Sequence, residues 1–549
     1  MSMDYQQGLA TPAFGKCLLS SVELDPTVDK HNSVNVCPHS PTSRPGHSKS
    51  RSRPRGMIQK HQSRALCFNT HASSPSDETY YNMLSLSRTK VLQRTIFGFL
   101  PSCITRRIRP LSSRKQKLHP TSYLDGLRGI ASFIVFMGHY TEENLGWYTE
   151  PYGMYEDGAP SSPLQLPFIR VLYSARPMVH IFFIISGFVL AYKPIMQIHS
   201  QQYSSLANTL SSSVFRRALR LFLPSICTLF FMALAVYYGI SDERYAHRYF
   251  TLSSQLENWW QVCWWLLNTC WSVNNIAHVN PTYNPALWTI PIEFSQSMIL
   301  FIVLIGLAQC RTQMRLLLLA GIMILCFYGG ILYSVEFLGG MFIAEVMILN
   351  DGRVLGSPAS SPKMLPKYSL EDAATLSYRS MIKEKAMQVF WIMNVLSGLF
   401  IASWTNDHPN ELWGIRFLNT HTPKPYKGQE VWFCFGAFQI VIACTQLKCL
   451  QNIFNTGIAQ YLGNVSYALY LTHNLCLTAL EPRIAKRLKT IFDLKSSTSR
   501  HLFWAAGLTI YLPFILWVAD IFWRAIDIPS VKFARWLESK CIVEKPSKR

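Results

Sequence analysis

An arginine and a histidine stand eleven positions apart in the stretch Tyr123–Tyr140, with Arg128 near its start, His139 near its end and an apolar run between them. On an α-helix eleven steps turn through about 1100°, within about 20° of three full turns, so both side chains share one face, ~16 Å apart along the axis. That separation is about half the hydrocarbon thickness of a bilayer. A neutral imidazole accepts a proton near neutral pH, and ionisable groups at such depth are functional candidates by default.

Other polar groups interrupt apolar segments further along. Phe182–Phe188 carries Ser186 and Gly187 in mid-helix, which suits either a pocket hydroxyl or close helix packing on small residues. Arg217 and Arg220 stand one turn apart. They present two guanidinium forks suited to phosphate oxygens, or serve as ordinary positive-inside anchors. Glu293, five residues after Trp288, lies well inside an apolar segment and needs a partner there. His139, His473 and Arg128 are the candidates at similar depth. Trp288 reads as a pocket or interface residue. His473 ends the run Tyr461–His473, and two histidines with an arginine and a glutamate point to a shared polar cavity. Glu345 has no evident partner.

These residues must be positioned by a membrane domain. The chain has 549 residues, 49% hydrophobic, 13% aromatic and only 15% charged, well below the quarter or so that soluble domains carry. Apolar segments recur at 177–192, 221–240, 286–309, 314–335, 388–404, 431–447, 458–480 and 503–523. With the marginal blocks 129–138 and 336–349, they predict an all-α, polytopic bundle of about ten transmembrane helices behind a disordered N-terminal tail.

Residues 1–85 are rich in Ser, Pro, His and Arg and read as a disordered, basic, cytosolic tail. Met1–Ala10 lacks a basic region and an apolar core, so the first span is expected to act as the internal signal. Residues 86–120 form a basic juxtamembrane segment that includes a short interfacial helix at 95–104. The membrane domain is expected over 121–530, with a cytosolic C-terminal tail at 531–549.

Of the net charge of +21, +12 falls within residues 1–120. By the positive-inside rule this places the N-terminus in the cytosol. Glu142, Glu143, Glu150, Glu156 and Asp157 suit the outer face, and Arg216, Arg217, Arg220 and the loop 350–386 suit the cytosolic one. The segment 481–502, with Arg483, Lys486, Arg487 and Lys489, breaks the pattern, because ten spans put it outside. The fourteen cysteines are scattered, without CxxC pairs or metal-ligand spacing, so neither a disulfide scaffold nor a metal site is expected. The sequon at Asn464 falls within an apolar segment.

In combination these motifs resemble the acyltransferase-3 family of integral membrane O-acyltransferases, in a fungal-type member, over roughly residues 120–530. The Arg/His pair of that family's first membrane helix is matched by Arg128 and His139, and its Phe-Phe-x-x-Ser-Gly-Phe by Phe182–Phe188. Its Arg-x-x-Arg is matched by Arg217 and Arg220, and its Leu-Trp-Ser/Thr-x-x-x-Glu by Leu287, Trp288, Thr289 and Glu293. Its Gly-x-x-Ser-Tyr-x-x-Tyr-Leu-x-His is matched by Gly463, Ser466, Tyr467, Tyr470, Leu471 and His473.

The resemblance implies transfer of an acyl group, usually acetyl, from acyl-CoA (acetyl-CoA) as co-substrate to a hydroxyl, with no bound cofactor. His139 is then the general base, Glu293 orients or charge-balances an imidazole, and Arg128 guides the acyl-pantetheine arm or stabilises negative charge. Arg217 and Arg220 hold the coenzyme A phosphates, and Ser186, Trp288 and His473 border the substrate pocket.

The expected acceptor is a hydroxyl-bearing small lipophilic molecule, in secondary metabolite biosynthesis, with a cell-surface glycan or glycolipid as the alternative. The expected surroundings are the lipid bilayer of the endoplasmic reticulum or another endomembrane. Nucleic acid is not an expected partner, since the basic tail precedes a polytopic domain. A proton-coupled transporter or flippase is the reading of another class. It calls for inverted halves with paired broken helices, which the sequence does not display.

Overall fold

The computed structural model describes residues 101–102, 105, 118–154, 161–270, 281–352, 370–405, 407–426, 428–494 and 496–542. The N-terminal tail and most of the expected interfacial helix at 95–104 lie outside them, as do Glu156, Asp157 and much of the loop 350–386.

Among the described residues the ordered elements are helices. They are α1 (Ser122–Asn144), α2 (Ala175–His199), α3 (Tyr203–Tyr237), α4 (Leu252–Thr269), α5 (Thr289–Gly306), α6 (Thr312–Tyr328) and α7 (Leu332–Asp351). They continue with α8 (Leu370–Ala402), α9 (Trp413–Thr420), α10 (Glu430–Gln446), α11 (Lys448–Phe454), α12 (Gly457–Ile491), α13 (Ser497–Phe522) and α14 (Ile528–Cys541).

Six of the helical segments are long and apolar enough to cross a membrane, and α10 with α11, bent by 98°, makes a seventh if counted as one span. The expected ten is not reached on apolar length alone. The helix α6 is short, while α1 and α12 carry polar residues that lower their hydropathy. Large apolar side chains on α5, α6 and α8, among them Ile302, Leu317, Leu325 and Phe390, are exposed on the outside of the bundle. A belt of that kind fits lipid, not water.

The centre of the bundle is the pair α1 and α12, which run parallel and in register. A Cβ on Gly129 would collide with the backbone of Gly463, and one on Gly463 would meet the Asp125 carbonyl oxygen at 2.5 Å. Only glycine permits this approach. A second such crossing joins α2 to α7, where Gly187 lies on the Phe337 backbone and Gly340 lies on that of Ile184. Gly187 is thus a packing residue.

Two buried histidine–glutamate contacts brace α2 and α7. His180 Nδ1 lies 2.5 Å from Glu336 Oε1. Glu345 lies 2.8 Å from His199 Nε2 and takes both Nε (3.1 Å) and Nη2 (2.5 Å) of Arg315. The unassigned glutamate of the sequence therefore closes a buried triad between three helices.

The helix α12 has 35 residues, about 52 Å, against a hydrocarbon core of about 30 Å. Its C-terminal end projects at the end of α3 remote from Arg217. There Arg483 donates to the Ile240 carbonyl at 2.6 Å, and Arg244 binds Glu143, Asp242 and Glu481. The basic stretch 481–491 thus lies at the same end of the bundle as Glu143, with acidic neighbours answering part of its charge. Residues 281–284 are non-helical and lead into a short 3-10 turn, Pro285–Trp288, inside the bundle. Asn284 satisfies the Ala286 N–H of that segment and ties it to α12, donating to the Leu471 carbonyl at 3.0 Å and accepting from Asn474 Nδ2.

Candidate active site

A cavity of about 440 Å³ opens between α1, α2, α3, α5, α12 and α14. Arg128, Arg217, Arg220, Lys532 and Arg535 line it together with only two carboxylates, Glu293 and Asp527, giving a formal charge of +3. Phe182, Phe183, Leu221, Ile290 and Trp523 supply its apolar wall. Five sequence candidates, Arg128, Ser186, Arg217, Arg220 and Glu293, meet here although they come from four helices.

Arg128 owes its position to the close α1–α12 contact. Its Nε donates to Ser466 Oγ at 3.0 Å and its Nη2 to the Gly463 carbonyl at 3.1 Å, while Asp125 lies 3.3 Å away. Ser466 and Gly463 of the sequence motif thus serve to hold this guanidinium.

Glu293 finds a different partner from the ones expected. It pairs with Arg217, whose Nε also donates to Ser297 Oγ at 3.0 Å. Both side chains are mostly buried, 10% and 14% exposed. The carboxylate therefore positions and neutralises one of the two α3 arginines, and among the described residues no imidazole is bonded to it. Sequence depth pointed to His139, His473 or Arg128. The α3 helix brings Arg217 to the same level because it is long enough to carry its arginines inward from the membrane boundary.

His139 does not line the cavity. Its ring stacks on that of His473, with centroids 5.2 Å apart and planes at 22°, and its Nδ1 lies 3.8 Å from Glu142 Oε2. His473 is fully buried, with Nδ1 at 3.2 Å from the Leu469 carbonyl oxygen. A carbonyl only accepts, so Nδ1 carries the proton and Nε2 is a bare lone pair. Among the described residues that Nε2 has no hydrogen-bond partner.

The link to the cavity is Tyr470, which lines it and has its ring 5.9 Å from that of His473. Tyr470 is held by its hydroxyl, which donates to the Ala286 carbonyl at 2.7 Å and lies 2.9 Å from Thr289 Oγ1. A line of three rings, Tyr470, His473 and His139, thus runs from the cationic cavity to the histidine of α1. His473 belongs to this line and not to the cavity wall.

Trp288 belongs to neither. It packs with Tyr333, ring centroids 6.1 Å apart, on a small cluster of Val179, Phe183, Ile292 and Phe337. Trp288 is not itself among the lining residues, but Val179 and Phe183 of that cluster are, so it stands behind the cavity wall.

Lys532 and Arg535 fall within the segment 531–549 expected as a cytosolic tail, yet both line the cavity, as does Asp527 just before it. A signal was present: Lys532 and Arg535 repeat the one-turn spacing of Arg217 and Arg220.

A family model described as an acyltransferase domain matches residues 121–524. The chain is 28% identical to O-acetyltransferase PaAT-1 of Phomopsis amygdali over 470 residues, covering 80% of this chain and 88% of that one. It is 25% identical to acyltransferase clz18 of Cochliobolus lunatus, covering 77% and 97%. It is 23% identical to acyltransferase R4 of Phoma sp., again covering 77% and 97%. No solved structure matches the chain.

Proposed function

The chain belongs to the acyltransferase-3 family, a multi-pass membrane enzyme that transfers acyl groups, and we propose that it moves an acyl group, acetyl first, from acyl-CoA to the hydroxyl of a small lipophilic acceptor. The observation that carries this reading is the cavity itself. Its net positive charge, with arginines from α1 and α3, suits the pyrophosphate and ribose phosphate of coenzyme A. The aromatic line through Tyr470 and His473 gives a thioester a direction to follow toward His139.

In the proposed step the acceptor oxygen attacks the thioester carbonyl carbon while His139 takes the hydroxyl proton. The tetrahedral oxyanion collapses, the C–S bond breaks, and the departing thiolate of coenzyme A recovers the proton from the imidazolium. His473 holds the His139 ring by stacking and offers a second bare acceptor beside it. Arg128 carries the pantetheine arm inward, Arg217 and Arg220 hold the pyrophosphate, and Ser186 borders the arm. The Arg128 side of the bundle faces the cytosol in this proposal, in line with the excess of Lys and Arg before α1, and an endomembrane is the setting. Secondary metabolism is the proposed context, as the relatives named above are fungal acyltransferases.

The test is transfer by purified protein in phosphatidylcholine nanodiscs, given radiolabelled acetyl-CoA and an organic extract of the source organism. Label should enter an organic-soluble, base-labile ester. Label that stays on coenzyme A throughout would remove the reading and favour a transporter.

A further inference from the structure

We propose that α14 is part of the donor site, with Lys532 and Arg535 binding the ribose phosphate of acyl-CoA. This rests on the donor reading above and extends it to an element beyond the membrane domain that the sequence delimits.

The observation is a repetition on two walls. Arg217 and Arg220 stand one turn apart on α3, Lys532 and Arg535 stand one turn apart on α14, and all four line one cavity. The two helices pack together, and Arg216 Nε lies 3.2 Å from Glu538 Oε2, so the pairs are held opposite each other by a fixed tie. Ser530 and Ala534, also one turn apart, are buried on the packed side of α14. That rotation leaves Val531, Lys532 and Arg535 to the cavity. A π turn, Trp523–Asp527, joins α13 to α14 and adds Asp527 to the same wall; such turns are frequent at functional sites.

Burial divides the phosphates between the walls. Arg217 is nearly buried and already committed to Glu293, which suits the pyrophosphate, the phosphate group nearer the thioester. Lys532 and Arg535 are exposed at the open side and form no hydrogen bond or salt bridge among the described residues. Exposed cations suit the ribose phosphate, which is doubly ionised and keeps part of its hydration.

The proposal separates coenzyme A from its dephospho form, so no acceptor is needed to test it. Equilibrium binding of radiolabelled coenzyme A and dephospho-coenzyme A is measured on the full chain in phosphatidylcholine nanodiscs. The unaltered protein should prefer coenzyme A by about tenfold or more, the size expected for charge-assisted hydrogen bonds. K532A/R535A should lose that preference, with coenzyme A weakened to the level of the dephospho form and the dephospho form unchanged. K532R/R535K should keep most of it. Equal weakening of both ligands, or no change, overturns the proposal. So does an effect seen only when phosphatidylinositol is added to the discs, since the cations then hold lipid headgroups. Failure of the unaltered protein to bind either ligand would instead defeat the donor reading itself.

Discussion

His139 and His473 stack with 5.2 Å between ring centroids because α1 and α12 run parallel in register. The backbones touch at Gly129 and Gly463, and each histidine follows its glycine by ten residues. One close contact therefore sets two things: the hold on Arg128 at the cavity and the pairing of imidazoles ~15 Å further along the helices.

Gly129→Ala tests that coupling. The added Cβ strikes the Gly463 backbone, which cannot swing aside as a side chain can. Overpacking of this kind costs about 1–3 kcal/mol or more, and transfer should fall sharply in whatever protein folds. Gly321→Ala is the control, since nothing lies within 4 Å of its Cβ position. It should leave thermal stability and activity unchanged.

His473→Phe separates packing from chemistry. Phenylalanine keeps a ring against His139 and removes both nitrogens, Nδ1 with its bond to the Leu469 carbonyl and Nε2, which has no partner among the described residues. An unsatisfied buried polar atom costs roughly 1–3 kcal/mol, so the melting temperature should hold or rise. Transfer should nonetheless drop by at least about tenfold. Full activity would reduce His473 to a packing ring.

Glu293→Gln asks which group the carboxylate serves. An amide oxygen still accepts from Arg217, so kcat should stay within about tenfold and its pH profile should not move. A loss of about 10⁴-fold in kcat, as follows removal of an imidazole-orienting carboxylate in triad enzymes, would return Glu293 to the histidines. Glu293→Ala should be the more damaging change to stability, because it strands a mostly buried guanidinium.

Arg315→Ala should act on stability alone. It leaves Glu345 buried with only His199 beside it, a loss of about 3–5 kcal/mol by analogy with other broken buried pairs. Arg315→Met combined with Glu345→Leu should recover much of the loss. Binding of acetyl-CoA by the folded fraction should be unchanged in both.

Apolar length and polar interruptions in the sequence were enough to expect a helical membrane bundle and to single out Arg128, Arg217, Arg220, Ser186 and Glu293, which do meet in one cavity. They mark His139 and His473 as well, and even the face shared by Arg128 and His139. What they cannot supply is partnership. Glu293 was paired by depth, yet depth does not say which neighbouring helix turns an arginine toward it. Trp288 shares a motif with Glu293 in sequence, yet it packs behind the cavity wall on Val179 and Phe183 instead of lining the cavity. The helix α4 does not read as a span because Ser253, Ser254, Gln255, Glu257 and Asn258 open it, and its tryptophans come as two adjacent pairs, Trp259–Trp260 and Trp264–Trp265. Lys532 and Arg535 were hidden by a boundary drawn where apolar character ends, although the helix and the cavity continue past it.

The central claim is that His139 takes the acceptor's proton while the arginine-lined cavity holds the donor. It is tested most directly by measuring acetyl-CoA binding and acetyl transfer side by side for His139→Ala in nanodiscs. Binding should stay within about threefold of the unaltered protein, because His139 lies outside the cavity, and transfer should fall by at least about 10². Transfer that survives the substitution would contradict the mechanism.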